Sequence, residues 1–107
     1  ACMMTKKSLY EELGGMDEDF QVAFNDIDFC LRMREIGKLV VFQAYAELYH
    51  HESLTRGYEN RPENRKRFKD ETRRFKSRWK EILRKGDPYY NKNLSLVKWN
   101  YSLKPKD

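Results

Sequence analysis

Apolar residues change their spacing several times along the 107-residue chain, and each change predicts an element. Ala1-Cys2-Met3-Met4-Thr5 is a short apolar run that reads as a strand. Ser8-Leu9-Tyr10-Glu11 follows as a capping box, in which hydroxyl and carboxylate each satisfy a backbone N–H at a helix start. Gly14-Gly15 stops that helix after Leu13, since glycine takes the left-handed conformation without steric cost. Met16 to Val22 is an acidic loop with Phe20 and Val22 as anchors. A second helix is predicted from Asn25 to Gly37, where Phe24, Ile27 and Leu31, with Phe29, Met33 and Ile36, recur at helical spacing.

Past Gly37 the period shortens. Leu39-Val40-Val41-Phe42 is a continuous apolar run of the kind found in buried strands. Ala44 to His51 alternates, placing Ala46, Leu48 and His50 on one face and Tyr45, Glu47, Tyr49 and His51 on the other. A polar loop covers Glu52 to Tyr58. A long third helix opens at Asn60–Glu63, with Pro62 tolerated in its first turn. Phe68, Thr72, Phe75, Trp79 and Ile82/Leu83 form one apolar stripe on this otherwise charged rod, which ends at Gly86-Asp87-Pro88. Tyr89 to Asp107 is rich in Tyr and Asn, includes Trp99 and has no period, which predicts an extended tail.

Charge sharpens one element. Lys and Arg number 22 against 17 Asp and Glu, a net +5, and the excess lies between Arg61 and Lys85. A local basic face suits phosphate groups, nucleic acid or an anionic membrane surface. The basic residues surround the predicted helix, and no helix-turn-helix spacing or RNP-like aromatic motif accompanies them, so nucleic acid is not the expected partner. Cys2 and Cys30 are too few for a disulfide framework and read as reduced, buried thiols of an intracellular protein. No apolar run approaches the ~18–20 residues that span a bilayer, and no signal-peptide pattern is visible. The chain opens inside what reads as a strand and without Met, so the expectation is a piece of a larger domain.

Three constellations carry candidate chemistry. In Asn25-Asp26-Ile27-Asp28, Asn25 is a good N-cap residue and both acids fall in the first helical turn, each favoured there by roughly 0.3–1 kcal/mol. Asp28 also has Arg32 four residues on, which permits an exposed ion pair of about 0.3–0.5 kcal/mol. Asp26 has fewer structural tasks, and the alternative to a helix-start role is that one of the two carboxylates is presented to a substrate. His50-His51-Glu52 is a weak metal motif, because neighbours on a strand point to opposite faces and a full zinc site needs further ligands. The third is the basic helix with Arg56 and Gly57 before it, for which a solvated face is the simpler reading.

Taken in order, these pieces resemble one family. Ala1-Cys2-Met3-Met4, Leu13-Gly14-Gly15-Met16-Asp17-Glu18-Asp19-Phe20, Phe24 to Arg32, Glu47-Leu48-Tyr49-His50 and Ser53-x-x-Arg56-Gly57 look like the C-terminal half of a family-2 glycosyltransferase. The nearest flavour is the bacterial rhamnosyltransferase-like group that builds surface polysaccharides. The tail, Asp87-Pro88-Tyr89-Tyr90-Asn91-x-Asn93-Leu94-Ser95, is similar to the end of those enzymes.

The resemblance implies an α/β fold, the acceptor-side portion of a GT-A architecture with short strands plus three helices. Its parts would be an acceptor-side α/β segment at 1–58, a long basic amphipathic helix at 59–86 and a tail at 87–107. It implies inverting transfer from a nucleotide-sugar donor to a saccharide or lipid-linked acceptor, with Asp26 as general base. Asn25 stands where the commoner pattern has Glu. Asn25, Asp28 and Arg56 are the implied substrate-binding residues and His50 the implied metal contact, with Mg or Mn as the expected cation. The Asp-x-Asp motif that holds metal and nucleotide in the first half of such enzymes has no counterpart ahead of these elements, so most metal ligands and the donor site are expected from sequence outside this chain. The implied location is cytoplasmic, with the inner face of the plasma membrane as an alternative, and self-association is expected of a half-domain with an uncovered apolar face. The competing reading is a non-catalytic module whose basic helix docks on an anionic membrane or nucleic acid.

Overall fold

The computed structural model describes residues 2–51, 62–98 and 100–105. The chain divides into two compact units, Ala1–Ser77 and Arg78–Asp107. Its helices are α1 (Lys7–Glu12), α2 (Asn25–Glu35), α3 (Pro62–Arg78) and α4 (Lys80–Lys85).

The expected α/β fold is not observed. Among the described residues there is no sheet, and β-type pairing is confined to an isolated antiparallel bridge between Leu94 and Leu103. Leu39, Val40, Val41 and Phe42 are all exposed, Leu39 at 87% and Phe42 at 90%. The physical reason is the bonding requirement of a strand. A helix closes its hydrogen bonds within its own segment, whereas an extended run needs a neighbouring strand for every N–H and C=O. Neither the Cys2–Thr5 segment nor the Ala44–His51 stretch supplies one, so the apolar sequence is present without the ladder.

The helix count also differs. The predicted third helix is interrupted at Trp79, whose φ of −102° and ψ of 23° leave the helical basin and separate α3 from α4. The capping box at Ser8 does not form either. Helix α1 begins two residues earlier than that box would place it, and its N-cap, Lys6, makes no side-chain capping bond.

The stops are where glycine puts them. Gly37 has φ +75°, its N–H donates to the Arg34 carbonyl at 3.0 Å, and the Lys38 N–H donates to the Met33 carbonyl at 3.0 Å. That pair of bonds is a Schellman motif. The same pattern closes α1, with Gly14 N–H to Glu11 O at 3.0 Å and Gly15 N–H to Tyr10 O at 2.8 Å. Gly15 is further constrained by packing, because a Cβ there would meet the Tyr10 ring at 3.1 Å.

The core of the first unit is aromatic. Phe20 and Phe29 are 1% exposed, and Met33 and Phe75 are also buried. Phe24 stacks on Phe75 at 4.8 Å and on Phe68 at 5.8 Å, while Phe20 meets Phe75 edge-on at 6.2 Å. Thus α3 provides the platform on which the segment leading into α2 lies, each ring pair adding about 0.5–1.5 kcal/mol to the burial itself.

In the second unit the expected extended tail doubles back. The Ser95 N–H donates to Ser102 O at 2.8 Å, the Lys104 N–H to Asn93 O at 2.8 Å, and the Tyr90 hydroxyl to Ser95 O at 3.0 Å. Asp87 and Asn91 each bond the N–H two residues on, at 2.9 Å, which is how Asx side chains make turns without a regular element.

Candidate functional site

Helix α2 begins in an unusual way. Phe24, its N-cap, lies in the left-handed region at φ 66°, a conformation costing a non-glycine residue about 1–2 kcal/mol. Contacts from α3 offset that cost. Besides the ring stacking, the Glu71 carboxylate accepts the N–H of Ala23 at 2.9 Å and of Val22 at 3.3 Å. Glu71 is only 3% exposed and lies 3.9 Å from the Arg67 guanidinium. Nearby, Arg74 donates to the Asp19 carbonyl and pairs with its carboxylate at 3.4 Å. Helix α3 therefore holds the segment from Asp19 to Phe24 in place largely through its backbone, which leaves the side chains that follow able to face outward.

Asn25 and Asp26 are those side chains. Asn25 is the first helical residue of α2, not its cap, and its Oδ1 accepts the Asp26 N–H at 2.7 Å. Asp26 is exposed, and its Oδ1 accepts the Ile27 N–H at 2.8 Å. One oxygen of the Asp26 carboxylate is thereby oriented. Its field reaches Cys30, whose thiol is pushed upward in pKa by burial and, secondarily, by the Asp26 charge.

Asp28 has a different surrounding from the one its sequence position predicts. Its side chain is fully buried, and the ion pair with Arg32, 2.9 Å from Nε to Oδ2, lies inside the protein. Arg32 uses its remaining nitrogens on Leu13 O at 2.8 Å and Gly15 O at 2.7 Å, the carbonyls at the end of α1. Its guanidinium also lies 5.3 Å from the centre of the Phe29 ring. Asp28 and Arg32 thus bolt α1 to α2, and in this conformation no surface of Asp28 is open to a ligand.

The structure brings Asn25 and Asp26 together and places His50 on an exposed segment outside the helices. Arg56 lies outside the described residues. Among the described residues no three His, Cys, Asp or Glu side chains are grouped to hold a metal ion. The sequence predicts two buried thiols. Cys2 is instead exposed and Cys30 half-buried, with its Sγ 3.7 Å from the Met3 sulfur.

Sequence reasoning missed Glu71. An acid inside an apolar stripe was the available signal, since it interrupts the spacing between Phe68 and Phe75, but its partners are 48 and 49 residues away.

Similarity to known proteins bears on what this surface does. Over 104 residues the chain is 44% identical to an uncharacterized protein, y4gI, of Sinorhizobium fredii, covering 96% of the chain. It is 36% identical over its whole length to the O-antigen biosynthesis protein RfbC of Myxococcus xanthus. It is 30% identical, over 53% of its length, to the N-acetylglucosaminyl-diphospho-decaprenol L-rhamnosyltransferase of Mycobacterium tuberculosis. The likeness is to part of a glycosyltransferase-related protein. The chain spans 11%, 8% and 19% of these relatives' lengths, respectively. No protein-family model matches the chain, and no solved structure matches it. No helix among the described residues is long and apolar enough to cross a membrane.

Proposed function

We propose that this chain is the acceptor-side part of an inverting, family-2 glycosyltransferase acting in polysaccharide synthesis, and that Asp26 is its general base. The observation that carries the reading is the pairing of an exposed, oriented Asp26 carboxylate with a buried Asp28 at the same helix start. The two acids look alike in sequence, yet one is committed to the interior and the other is presented to solvent. The names of the Myxococcus and Mycobacterium relatives support the substrate class.

In the proposed reaction an acceptor hydroxyl lies against the outward oxygen of Asp26. As the hydroxyl oxygen attacks the anomeric carbon of a nucleotide sugar, its proton passes to the carboxylate. The bond from that carbon to the diphosphate breaks on the opposite side, and the nucleoside diphosphate leaves with the electron pair. Attack opposite the leaving group inverts the anomeric configuration. An aspartate is a modest base, so proton transfer occurs late, when the attacking oxygen has already become acidic. Asn25, by holding the Asp26 N–H, keeps the first turn in register and borders the acceptor. Donor binding and any divalent cation would draw on residues outside those described, Arg56 among them, and the cytoplasmic side of the membrane is the location at which nucleotide sugars would be met.

Asp26→Asn in the intact protein tests the reading. Loss of general-base catalysis is expected to lower kcat by about 10²–10⁴-fold with the fold intact. Normal turnover by a folded variant would remove Asp26 from this role.

A further inference from the structure

The basic residues of α3 surround the helix in sequence but not in function. Arg67 and Arg74 are engaged by acids, Glu71 and Asp19 respectively. Setting these two aside, and Arg78 at the last position of the helix on its other side, leaves Arg65, Lys66, Lys69, Arg73 and Lys76, all exposed. At 100° per residue these fall within a sector about 100° wide, opposite the line of Phe68, Glu71 and Phe75, and run for about 17 Å along the axis. Arg73 pairs with Asp70 at 3.0 Å on the surface, and Arg65, Lys66, Lys69 and Lys76 form no ion pair with a described acid. The outward face of α3 is therefore a row of cations in which Arg73 is paired and the other four have no ion pair with a described acid.

We infer that this row docks the protein on a bilayer surface bearing anionic phospholipid headgroups. A straight row on a rigid rod meets a plane along its whole length, and its charge is complementary to such a surface. Among the described residues this face carries no exposed aromatic platform for stacking bases, which single-stranded nucleic acid would use. The choice of lipid rests on the transferase reading above, since the substrate of the Mycobacterium relative is named as a decaprenol-linked diphospho sugar, a molecule anchored in lipid. Docking through the outward face of α3 would leave its inward face still holding the entry to α2.

Vesicle co-sedimentation of the 107-residue chain tests this without reference to transfer. Vesicles of phosphatidylcholine with about a third phosphatidylglycerol are compared with phosphatidylcholine alone, at about 50 mM and about 500 mM NaCl. Binding is expected only to the anionic vesicles and only at low salt. Lys69→Glu/Arg73→Glu/Lys76→Glu is expected to lower the partition coefficient by about 100-fold or more, at roughly fivefold for each basic residue. Lys92→Glu/Lys98→Glu/Lys104→Glu makes the same change in net charge on exposed residues of the second unit and is expected to retain most of the binding. Equal loss in both variants would overturn the inference by reducing it to net charge. So would no binding to the anionic vesicles at low salt, or tighter, stripe-dependent binding to a 20-nucleotide DNA strand at the same salt. Any of these results leaves the Asp26 test standing, and a normal Asp26→Asn enzyme would leave the vesicle result standing.

Discussion

Residues 24–37 and residues 38–51 are equal in length and both rich in large apolar side chains, yet they meet water in opposite ways. In the first, Phe29 and Met33 are buried, both ends are fixed, and an internal ion pair ties the helix to α1. In the second, every residue is exposed, including Phe42, Tyr45, Leu48 and Tyr49. Apolar content does not separate them. What does is whether the backbone is satisfied locally. Helix α2 forms its own bonds and then needs only one face covered, which α1 and α3 do. The Leu39–Phe42 run must first find a partner strand, and burial can follow only after that.

This contrast predicts a steep gradient in mutational cost. Arg32→Met is the most damaging change expected, by about 3–5 kcal/mol, because it leaves the buried Asp28 carboxylate without its counter-charge. Urea unfolding followed by circular dichroism measures it. Adding Asp28→Leu to that variant should recover a substantial part, and a double variant no better than the single would put the loss in the bonds to Leu13 and Gly15 instead.

Next comes Glu71→Ala, expected to cost about 1–3 kcal/mol by stripping the Val22 and Ala23 amides of their acceptor. Hydrogen exchange at those amides should accelerate more than exchange in the middle of α2. The thiols offer a smaller, kinetic test. Cys30, with its raised pKa, should react with iodoacetamide more slowly than exposed Cys2 at pH 8, and Asp26→Asn should quicken Cys30 by removing a negative charge that disfavours its thiolate. The smallest effect is expected at Phe42→Ser, within about 0.5 kcal/mol, since the ring is 90% exposed. A loss of several kcal/mol there would mean that the Leu39–Phe42 run is covered in solution.

Helices were legible in the sequence where their signals were local. Gly14-Gly15 and Gly37 mark stops that depend on a few neighbouring atoms, and the spacing of Phe29, Met33 and Ile36 marks α2 as a helix. Features set by distant contacts were not legible. Ser8 has the right neighbours for a capping box, yet α1 starts before it. Asp28 looked like a surface partner for Arg32, and only the approach of α1 encloses them both. Glu71 gave no hint of its partners, and the strand pattern at Leu39–Phe42 carried no information on whether a neighbour exists. Of the candidate site, the helix start and its acids were readable, while the division of labour between Asp26 and Asp28 needed the three-dimensional arrangement.

Phe24 has one more consequence, for register. Asn accepts a left-handed backbone more readily than Phe does, so local preference alone would shift that conformation one residue onward to Asn25. Helix α2 would then begin a residue later, with Asn25 as its cap and Asp26 as its first helical residue. The Phe24 ring, seated between Phe68 and Phe75, prevents that slip. A residue with no chemistry of its own thus anchors the point at which α2 begins, and a smaller side chain there is expected to loosen that start.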